Sequence, residues 1–261
     1  MAAAQLTLLW AVCLLPGPLA LPLPPDAANM SQLQRKQAQD YLEKFYSGDS
    51  KTKEISSLAA KLKEMQNFFG LPLTGKLNPH IMEIMQKPRC GVPDVLKYSL
   101  FPNKLKWLSK DITYRIVSYT SDLSRRTVDK IVEKAFSMWH EQIPLNFRRV
   151  RMGPADIIIS FETKDHGDGS PFDGPGNAVA HAFGPGPGLG GDVHFDNDEY
   201  WTVSNEIGIN FLYAAVHELG HSLGLSHSSV PDAVMYPTYE NGDEANLKLS
   251  EDDIKGIQKL Y

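Results

Sequence analysis

The sequence HELGHSLGLSH at residues 217–227 is the most informative part of this chain. His217 and His221 are four residues apart, so on a helix they project from one face and can share a metal ion. Gly224 can adopt a left-handed backbone conformation that ends the helix, and His227 then arrives from the far side as a third nitrogen ligand. Three imidazoles leave one tetrahedral position open for water, which is typical of a catalytic rather than a structural zinc site.

Two neighbouring features support this interpretation. Glu218 lies between the helical histidines but is offset around the helix, where it can hold a water molecule and act as a general base. Downstream, the sequence AVMYP at residues 233–237 resembles a methionine turn, in which Met235 is an apolar floor beneath the histidines. A methionine such as Met235, taken alone, more often belongs to an ordinary core. Its position after the third histidine favours the metal-associated interpretation.

Length and composition exclude some classes of protein. The chain has 261 residues, of which 42% are hydrophobic, and a formal net charge of −5. This length gives room for one medium-sized domain and a smaller one. The acidic balance argues against a nucleic-acid-binding protein, which normally carries a basic face. Arg148, Arg149 and Arg151 are locally basic, and either a solvated strand face or a contact with a polyanion would explain them.

The first 20 residues resemble a secretory signal peptide. Residues 6–15 form an apolar core too short to anchor the chain in a bilayer, and Ala20 is a suitable small residue before the cut. No other stretch is apolar enough for a membrane helix, so we expect a secreted, soluble monomer.

Cleavage would remove Cys13 and leave Cys90 without an intramolecular partner. Burial or intermolecular pairing would explain an isolated cysteine, and a metal ion is a third explanation.

Residues 31–87 carry the pattern of three short amphipathic helices. Ser31 can cap the first helix, and Asn78-Pro79 combines a cap with a proline in the first turn of the third. Apolar residues line one face of the second helix: Leu58, Leu62, Met65 and Phe69. Such helices would form a small bundle that buries one common face, and the sequence changes character near residue 97.

The second half of the chain mixes strands and helices and predicts an α+β domain. We expect strands at residues 112–119, 145–150, 155–161 and 192–195. The third is continuously apolar and is therefore predicted to be central in its sheet. A helix spans the apolar positions from Val128 to Trp139. The helix with the histidine motif begins near Asn210, and Ser250 begins a capping box for a last helix.

The segment between the strands carries a second set of metal-ligand residues. Three nitrogens and one carboxylate would close a tetrahedral structural zinc site: His166, Asp168, His181 and His194. Carboxylates and the carbonyls of a glycine-rich turn offer the oxygen environment of calcium: Asp173, Gly174, Gly176, Asp196 and Glu199. A second calcium loop is suggested by Gly188, Gly190 and Asp192. The alternative is that these are ordinary turn residues.

Cys90 lies in the sequence PRCGVPD at residues 88–94, between the helical segment and the second half of the chain. A thiolate is an excellent zinc ligand, so Cys90 in the cleft would displace the water that hydrolysis requires. Gly91 would let the backbone approach the cleft floor, and Arg89 could pair with Asp94 to stiffen the loop.

Together the PRCGVPD segment, the histidine motif and the methionine turn resemble the matrix metalloproteinase (metzincin) family over essentially the whole chain. The resemblance implies a signal peptide at residues 1–20 and a three-helix propeptide with a cysteine switch at 21–97. It implies a catalytic domain at 98–261 with a five-stranded twisted sheet, three helices, two zinc ions and two calcium ions. It adds Asp156 and the Ala178 carbonyl as calcium ligands, and no hemopexin-like domain is expected after Tyr261.

By the same resemblance the protein would be a latent endopeptidase of extracellular matrix and other extracellular proteins, activated by a protease that cuts between Lys97 and Tyr98. Protein inhibitors of metalloproteinases would be further partners. Tyr213, Pro237 and Tyr239 would line the substrate pocket, although Tyr213 could simply pack in the core. Two other classes are a non-catalytic zinc module and a zinc hydrolase of small molecules. An edge strand near residues 179–183 favours peptide binding by strand addition.

Overall fold

The computed structural model describes residues 30–47, 57–95, 106–203, 207–239 and 246–261. The predicted signal peptide, Cys13 and the predicted cut between Lys97 and Tyr98 lie outside these residues. None of the helices described is long and apolar enough to cross a membrane.

The N-terminal module is a bundle of α1 (Gln32–Tyr46), α2 (Leu58–Phe68) and α3 (Pro79–Met85). The predicted caps are confirmed, since the Ser31 and Asn78 side chains accept hydrogen bonds from the first turns of α1 and α3. The three helices bury one shared apolar cluster, which includes Leu42, Leu62 and Ile81. The prediction for Leu58 was wrong, because it begins α2 beyond the reach of the bundle and is 41% exposed.

The C-terminal domain is built on a mixed sheet. Its strands are β2 (Asp111–Ile116), β3 (Asn146–Arg149), β4 (Ile157–Glu162), β5 (Ala178–Ala182) and β6 (Val193–Asp196), and β1 (Arg89–Cys90) joins the sheet from the preceding segment. The order is β1-β5-β6-β4-β2-β3. All pairings are parallel except that of β5 with β6. The predicted central position of the third strand, β4, and the α+β class are confirmed.

The strand predicted at residues 112–119 is shorter than expected. β2 ends at Ile116. Beyond it, the Ser118 hydroxyl replaces the backbone as the partner of Phe161: it donates to the Phe161 carbonyl at 3.0 Å and accepts from the Phe161 N–H at 2.7 Å. A side chain that bonds to the neighbouring backbone in this way competes with the regular ladder.

Three helices complete the domain: α4 (Arg125–His140), α5 (Phe211–Ser222) and α6 (Glu251–Leu260). A short pair, β7 (Trp201–Thr202) and β8 (Ile209–Asn210), precedes α5. The α4 and α5 helices pack together, and the buried Trp139 indole on α4 donates to the Val216 carbonyl on α5 at 2.9 Å. The start of α5 at Asn210 and the capping box at Ser250 are confirmed. This packing holds α5 rigidly beside β5 and β6.

Candidate metal centres

The first candidate centre contains the four donors that the sequence suggested. Ligand atoms of Cys90, His217, His221 and His227 all lie within 4.8 Å of one another, and all four residues are buried. His217 and His221 project from one face of α5. Gly224 has a φ of 105°, so the backbone turns back after α5 in the left-handed conformation that favours glycine. This turn brings His227 to the other two histidines.

The chemistry of the three imidazoles fits a metal ion. The Nε2 atoms of all three are buried and have no hydrogen-bond partner. The Nδ1 atoms of His217 and His221 donate to the Val234 and Leu225 carbonyls at 2.6 and 2.8 Å, so each Nε2 presents a lone pair. Burial lowers the pKa of His217 and His221 well below the ordinary value, which keeps both rings neutral. Neutral rings with unpaired inward nitrogens are what a divalent cation requires.

Glu218 occupies the position expected of a base beside this cluster. Its side chain is fully buried, and its Oε1 accepts a hydrogen bond from the Tyr239 hydroxyl at 2.5 Å. The Oε2 atom has no hydrogen-bond partner. Burial raises the pKa of Glu218 to about 7, while hydrogen bonds from Cys90 and Tyr239 oppose that rise. A carboxyl group with a pKa near neutrality can both accept and return a proton.

The segment of residues 88–94, called the switch segment below, lies between two walls of the cleft. Its β1 pairs in parallel with β5, and Arg89 forms an antiparallel bridge with Thr238 on the opposite wall. The Cys90 N–H donates to the Pro237 carbonyl at 2.9 Å. The predicted role of Gly91 is supported, because a Cβ at this position would lie 3.2 Å from the Ala180 oxygen.

A buried ion pair stiffens the switch segment, as the sequence suggested. The Arg89 guanidinium pairs with the Asp94 carboxylate, and neither side chain is exposed. Burial works against ionisation of Asp94, yet Arg89 and His227 hold the pKa of that carboxyl well below its ordinary value. His227 Nδ1 lies 2.9 Å from Asp94 Oδ1, so this carboxylate reaches the histidine cluster as well.

Helix α1 encloses the same ion pair in aromatic side chains. The Arg89 guanidinium lies 3.7 Å from the centre of the Phe45 ring and 5.1 Å from that of Tyr41. The Tyr41 hydroxyl bonds to Arg89, and the Tyr46 hydroxyl donates to Asp94. Sequence reasoning missed these three aromatic residues. Their helical spacing indicated only that they lie on a buried face. The hydrogen bond between Tyr41 and Arg89 joins residues 48 positions apart.

The methionine turn lies under α5. The Met235 side chain is buried and packs against Gly220, where any added Cβ would collide with its sulfur. The turn is also tied to α6, because the Val234 and Met235 N–H groups donate to the Asp253 carboxylate. Met235 is therefore buried against the helix that carries His217 and His221, and the attachment of the turn to α6 was not anticipated.

The second candidate centre is more compact than the first. Asp168 Oδ2 lies 2.9 Å from His166 Nε2, 2.7 Å from His181 Nε2 and 2.9 Å from His194 Nδ1. Four ligands about 2.0 Å from a tetrahedral zinc ion would be about 3.3 Å apart, so these donors are already near that spacing. Burial disfavours the charged form of Asp168 and so raises its pKa. Hydrogen bonds from the Ser170 N–H and from His181 outweigh this effect and lower the pKa to about 2. Burial lowers the pKa of His181 to about 4, which leaves its ring neutral.

The first predicted calcium set surrounds a tight glycine turn. Gly174 and Gly176 have φ values of 85° and 87°, which turn the chain around the acidic side chains. Asp196 Oδ2 is buried without a hydrogen-bond partner. Burial raises the pKa of Glu199 to about 7, and Asp196 adds to the effect. Burial also raises the pKa of Asp173. Ala178 follows the turn as the first residue of β5. Such unneutralised carboxylates fit a hard cation.

The second predicted calcium set is engaged within the protein. The Asp156 carboxylate accepts from the Thr113 N–H and hydroxyl at 2.7 and 2.6 Å. Asp192 accepts from the Ile158 N–H at 2.8 Å, and burial raises its pKa to about 6. Gly188 and Gly190 lie in the turn that precedes Asp192, and Gly188 has a φ of 70°. Ligation of calcium by this set stays a prediction.

The predicted substrate pocket coincides in part with a cavity of about 580 Å³. Tyr213 and Tyr239 line it, as does Phe69 of the N-terminal module. Pro237 does not line the cavity, because its carbonyl faces the switch segment instead. The Phe69 ring meets Tyr236 edge to face, with ring centres 5.7 Å apart, and so closes one side of the cavity.

Comparison with known proteins agrees with this geometry. The matrixin family model matches residues 106–261, and a model described as a peptidoglycan binding domain matches residues 31–85. The chain is 68% identical to matrilysin of Homo sapiens over 257 residues, which cover 98% of this chain and 96% of that relative. Matrilysin of Mus musculus is 67% identical, over 98% and 97% of the two chains. Stromelysin-1 of Mus musculus is 51% identical over 90% of this chain but 50% of its own length. The chain therefore belongs to the matrixins, the matrix metalloproteinases, and is a matrilysin-like zinc metalloendopeptidase.

Proposed function

We propose that this chain is the latent form of a secreted, zinc- and calcium-dependent endopeptidase that cleaves extracellular matrix and other extracellular proteins. The observation that carries the proposal is the set of three buried, unpaired Nε2 atoms beside the buried carboxyl of Glu218. The names of the relatives support the same substrate class. In this proposal residues 1–20 are a signal peptide, 21–97 a propeptide and 98–261 the catalytic domain.

His217, His221 and His227 would hold the catalytic zinc, which when bound supplies a Lewis acid for the scissile carbonyl and lowers the pKa of a water molecule. Glu218 accepts the proton from the attacking water and delivers it to the leaving amine. In the latent chain burial raises the pKa of Glu218, which is the direction that a base returning its proton requires. The Tyr239 hydroxyl fixes one carboxylate oxygen of Glu218, which leaves the other oxygen, Oε2, for the water.

Latency follows from the position of the switch segment. Cys90 supplies a sulfur donor beside the three histidines and so replaces the water. Burial and the nearby Glu218 raise the pKa of the Cys90 thiol, so a thiolate there requires a cation in the site. Cleavage near residue 97 by an activating protease would release the module and clear the cleft.

The remaining donor sets would stabilise the catalytic domain. His166, Asp168, His181 and His194 would hold a structural zinc, because the four donors leave no position for water. The loop of Asp173 and the loop of Gly188, Gly190 and Asp192 would each bind a calcium ion, and Asp156 and the Ala178 carbonyl would be further calcium ligands.

Substrates would bind along β5. Removal of β1 leaves β5 as the edge of the sheet, so an extended peptide can add to it as a strand. The cavity beside Tyr213 would accept a medium-sized aliphatic side chain next to the cleaved bond. Protein inhibitors of metalloproteinases would occupy the same cleft of the monomer. Arg148, Arg149 and Arg151 would be the contact for a polyanion, although Arg149 already pairs with Asp129 at 2.7 Å.

A direct test combines activation with metal removal. The full chain, processed near residue 97, should cleave a peptide library with a preference for medium aliphatic side chains. A chelator should abolish this activity, and added zinc should restore it. Hydrolysis that persists after the chelator has removed all zinc would contradict the proposal. The unprocessed chain is the matched control and should remain inactive until cut.

A further inference from the structure

Asp253 is a buried carboxylate that the proposed mechanism does not use. It lies on α6 and is 2% exposed. Its Oδ2 accepts hydrogen bonds from the Val234 N–H at 2.8 Å, the Ser250 N–H at 2.8 Å and the Ser250 hydroxyl at 2.7 Å. Its Oδ1 accepts from the Met235 N–H at 3.0 Å. The bond from the Ser250 N–H, together with the bond from the Asp253 N–H to the Ser250 hydroxyl at 3.2 Å, forms the capping box of α6. The two bonds from the methionine turn have no part in that cap.

The peptide group between Val234 and Met235 connects Asp253 to the histidine cluster. Its N–H side, from Met235, donates to Asp253, and its carbonyl side, from Val234, accepts from His217 Nδ1 at 2.6 Å. A peptide group is planar and rigid, so fixing one side also fixes the direction of the other. Hydrogen bonds in such a chain polarise one another, and the Asp253 charge makes the carbonyl a better acceptor.

From this geometry we infer that Asp253 is a positioning residue for His217 as a ligand of the catalytic zinc. The carboxylate holds the Val234–Met235 peptide group, and that group fixes the tautomer and ring orientation of His217. The inference rests on the proposed function, because it takes His217 Nε2 as a zinc ligand. Loss of an interaction of this type in a metal site typically reduces metal affinity 10- to 100-fold.

A purely structural role for Asp253 would predict something different. As the capping residue of α6, it would affect the thermal stability of the domain and leave the metal centre unchanged. Ser250→Ala separates the two roles, because it removes the hydroxyl of the cap but retains both bonds from the methionine turn to Asp253. Asp252→Asn is a second control, since this neighbour accepts a bond from the exposed Ser228 hydroxyl instead.

The test measures zinc transfer from the zinc-loaded full chain, before and after processing, to a chromogenic chelator. His217→Ala identifies the phase of release that belongs to the catalytic centre. Asp253→Asn should accelerate that phase at least about 10-fold and leave the phase of the second centre unchanged. Ser250→Ala and Asp252→Asn should release both ions at the wild-type rates, although Ser250→Ala lowers the melting temperature.

Release at the wild-type rate from Asp253→Asn, with a melting temperature lowered as in Ser250→Ala, would overturn the inference. If Asp253→Asn does not fold, Asp253→Glu provides the same comparison, because it keeps the charge but displaces the carboxylate. A faster catalytic-centre phase in Asp253→Glu supports the inference, and an unchanged phase opposes it. A wild-type chain in which no phase depends on His217 would refute the proposed function itself.

Discussion

The two histidine-rich centres differ in where their fourth donor comes from. In the second centre Asp168 belongs to the same domain as its three histidines, and its Oδ2 lies within 2.9 Å of a nitrogen of each one. In the first centre the fourth donor, Cys90, belongs to the switch segment and enters beside β5. A donor that is part of the domain makes a permanent site. In the proposed function the donor of the first centre is carried on a segment that a protease removes, which would open that site.

The largest expected effect concerns Glu218, the residue proposed as the general base of the first centre. Glu218→Ala should retain zinc and fold but lose hydrolysis by about 10²- to 10⁴-fold, because the water proton has no acceptor. The measurement is kcat/KM of the processed form on a peptide substrate, with zinc content as the control. Near-normal turnover would contradict the role given to Glu218.

Removing the fourth donor from each centre sharpens the comparison. Asp168→Ala should lower the free energy of unfolding by about 1–3 kcal/mol, because it leaves the buried imidazole nitrogens without a hydrogen-bond partner. Cys90→Ser should change that free energy much less and should give a precursor that activates without added protease. Thermal unfolding and self-processing of both variants test this. A fully latent Cys90→Ser chain would mean that the module blocks the cleft by steric cover alone.

The pH dependence of stability tests the first predicted calcium loop through Glu199. Burial raises the pKa of Glu199 to about 7 from an ordinary 4.5, and this gap is equivalent to roughly 3 kcal/mol. Because the folded state binds the extra proton, the calcium-free protein should lose stability as pH rises from about 4.5 to about 7. Glu199→Gln should lack this part of the slope. Chemical unfolding of both chains across that range, with and without calcium, is the measurement, and identical slopes would exclude the effect.

The smallest expected effect tests how the module keeps its donor in place. Phe45→Ala removes a ring 3.7 Å from the buried Arg89 guanidinium, and a desolvated contact of this kind is worth about 2 kcal/mol. Processing of the full chain by an added protease should therefore accelerate by roughly 30-fold. Leu33→Ala on the exposed face of the same helix is the matched control and should process at the wild-type rate.

Local chemistry explains what the sequence could predict. The caps at Ser31, Asn78 and Asn210 satisfy nearby N–H groups, so a short motif reveals them. The spacing of His217, His221 and His227 likewise indicated which donors would meet. The gathering of both four-donor sets agrees with expectation.

Contacts between distant segments explain what the sequence could not predict. β1 forms because the edge of β5 is open, and the proline-rich PRCGVPD sequence has no strand pattern of its own. The hydrogen bond between Tyr239 and Glu218 joins residues 21 positions apart. The bonds from the methionine turn to Asp253 join residues 18 and 19 positions apart. The capping-box motif indicates that Asp253 caps α6, but it does not predict the bonds from the Val234 and Met235 N–H groups.

Zinc K-edge X-ray absorption on the latent full chain is the most direct test of how the cleft is closed. With both centres loaded, the spectrum should contain one sulfur per two zinc ions at about 2.3 Å, with nitrogen or oxygen neighbours near 2.0 Å. That sulfur should vanish in Cys90→Ser and after processing. A latent chain whose zinc neighbours are all nitrogen and oxygen would contradict the account.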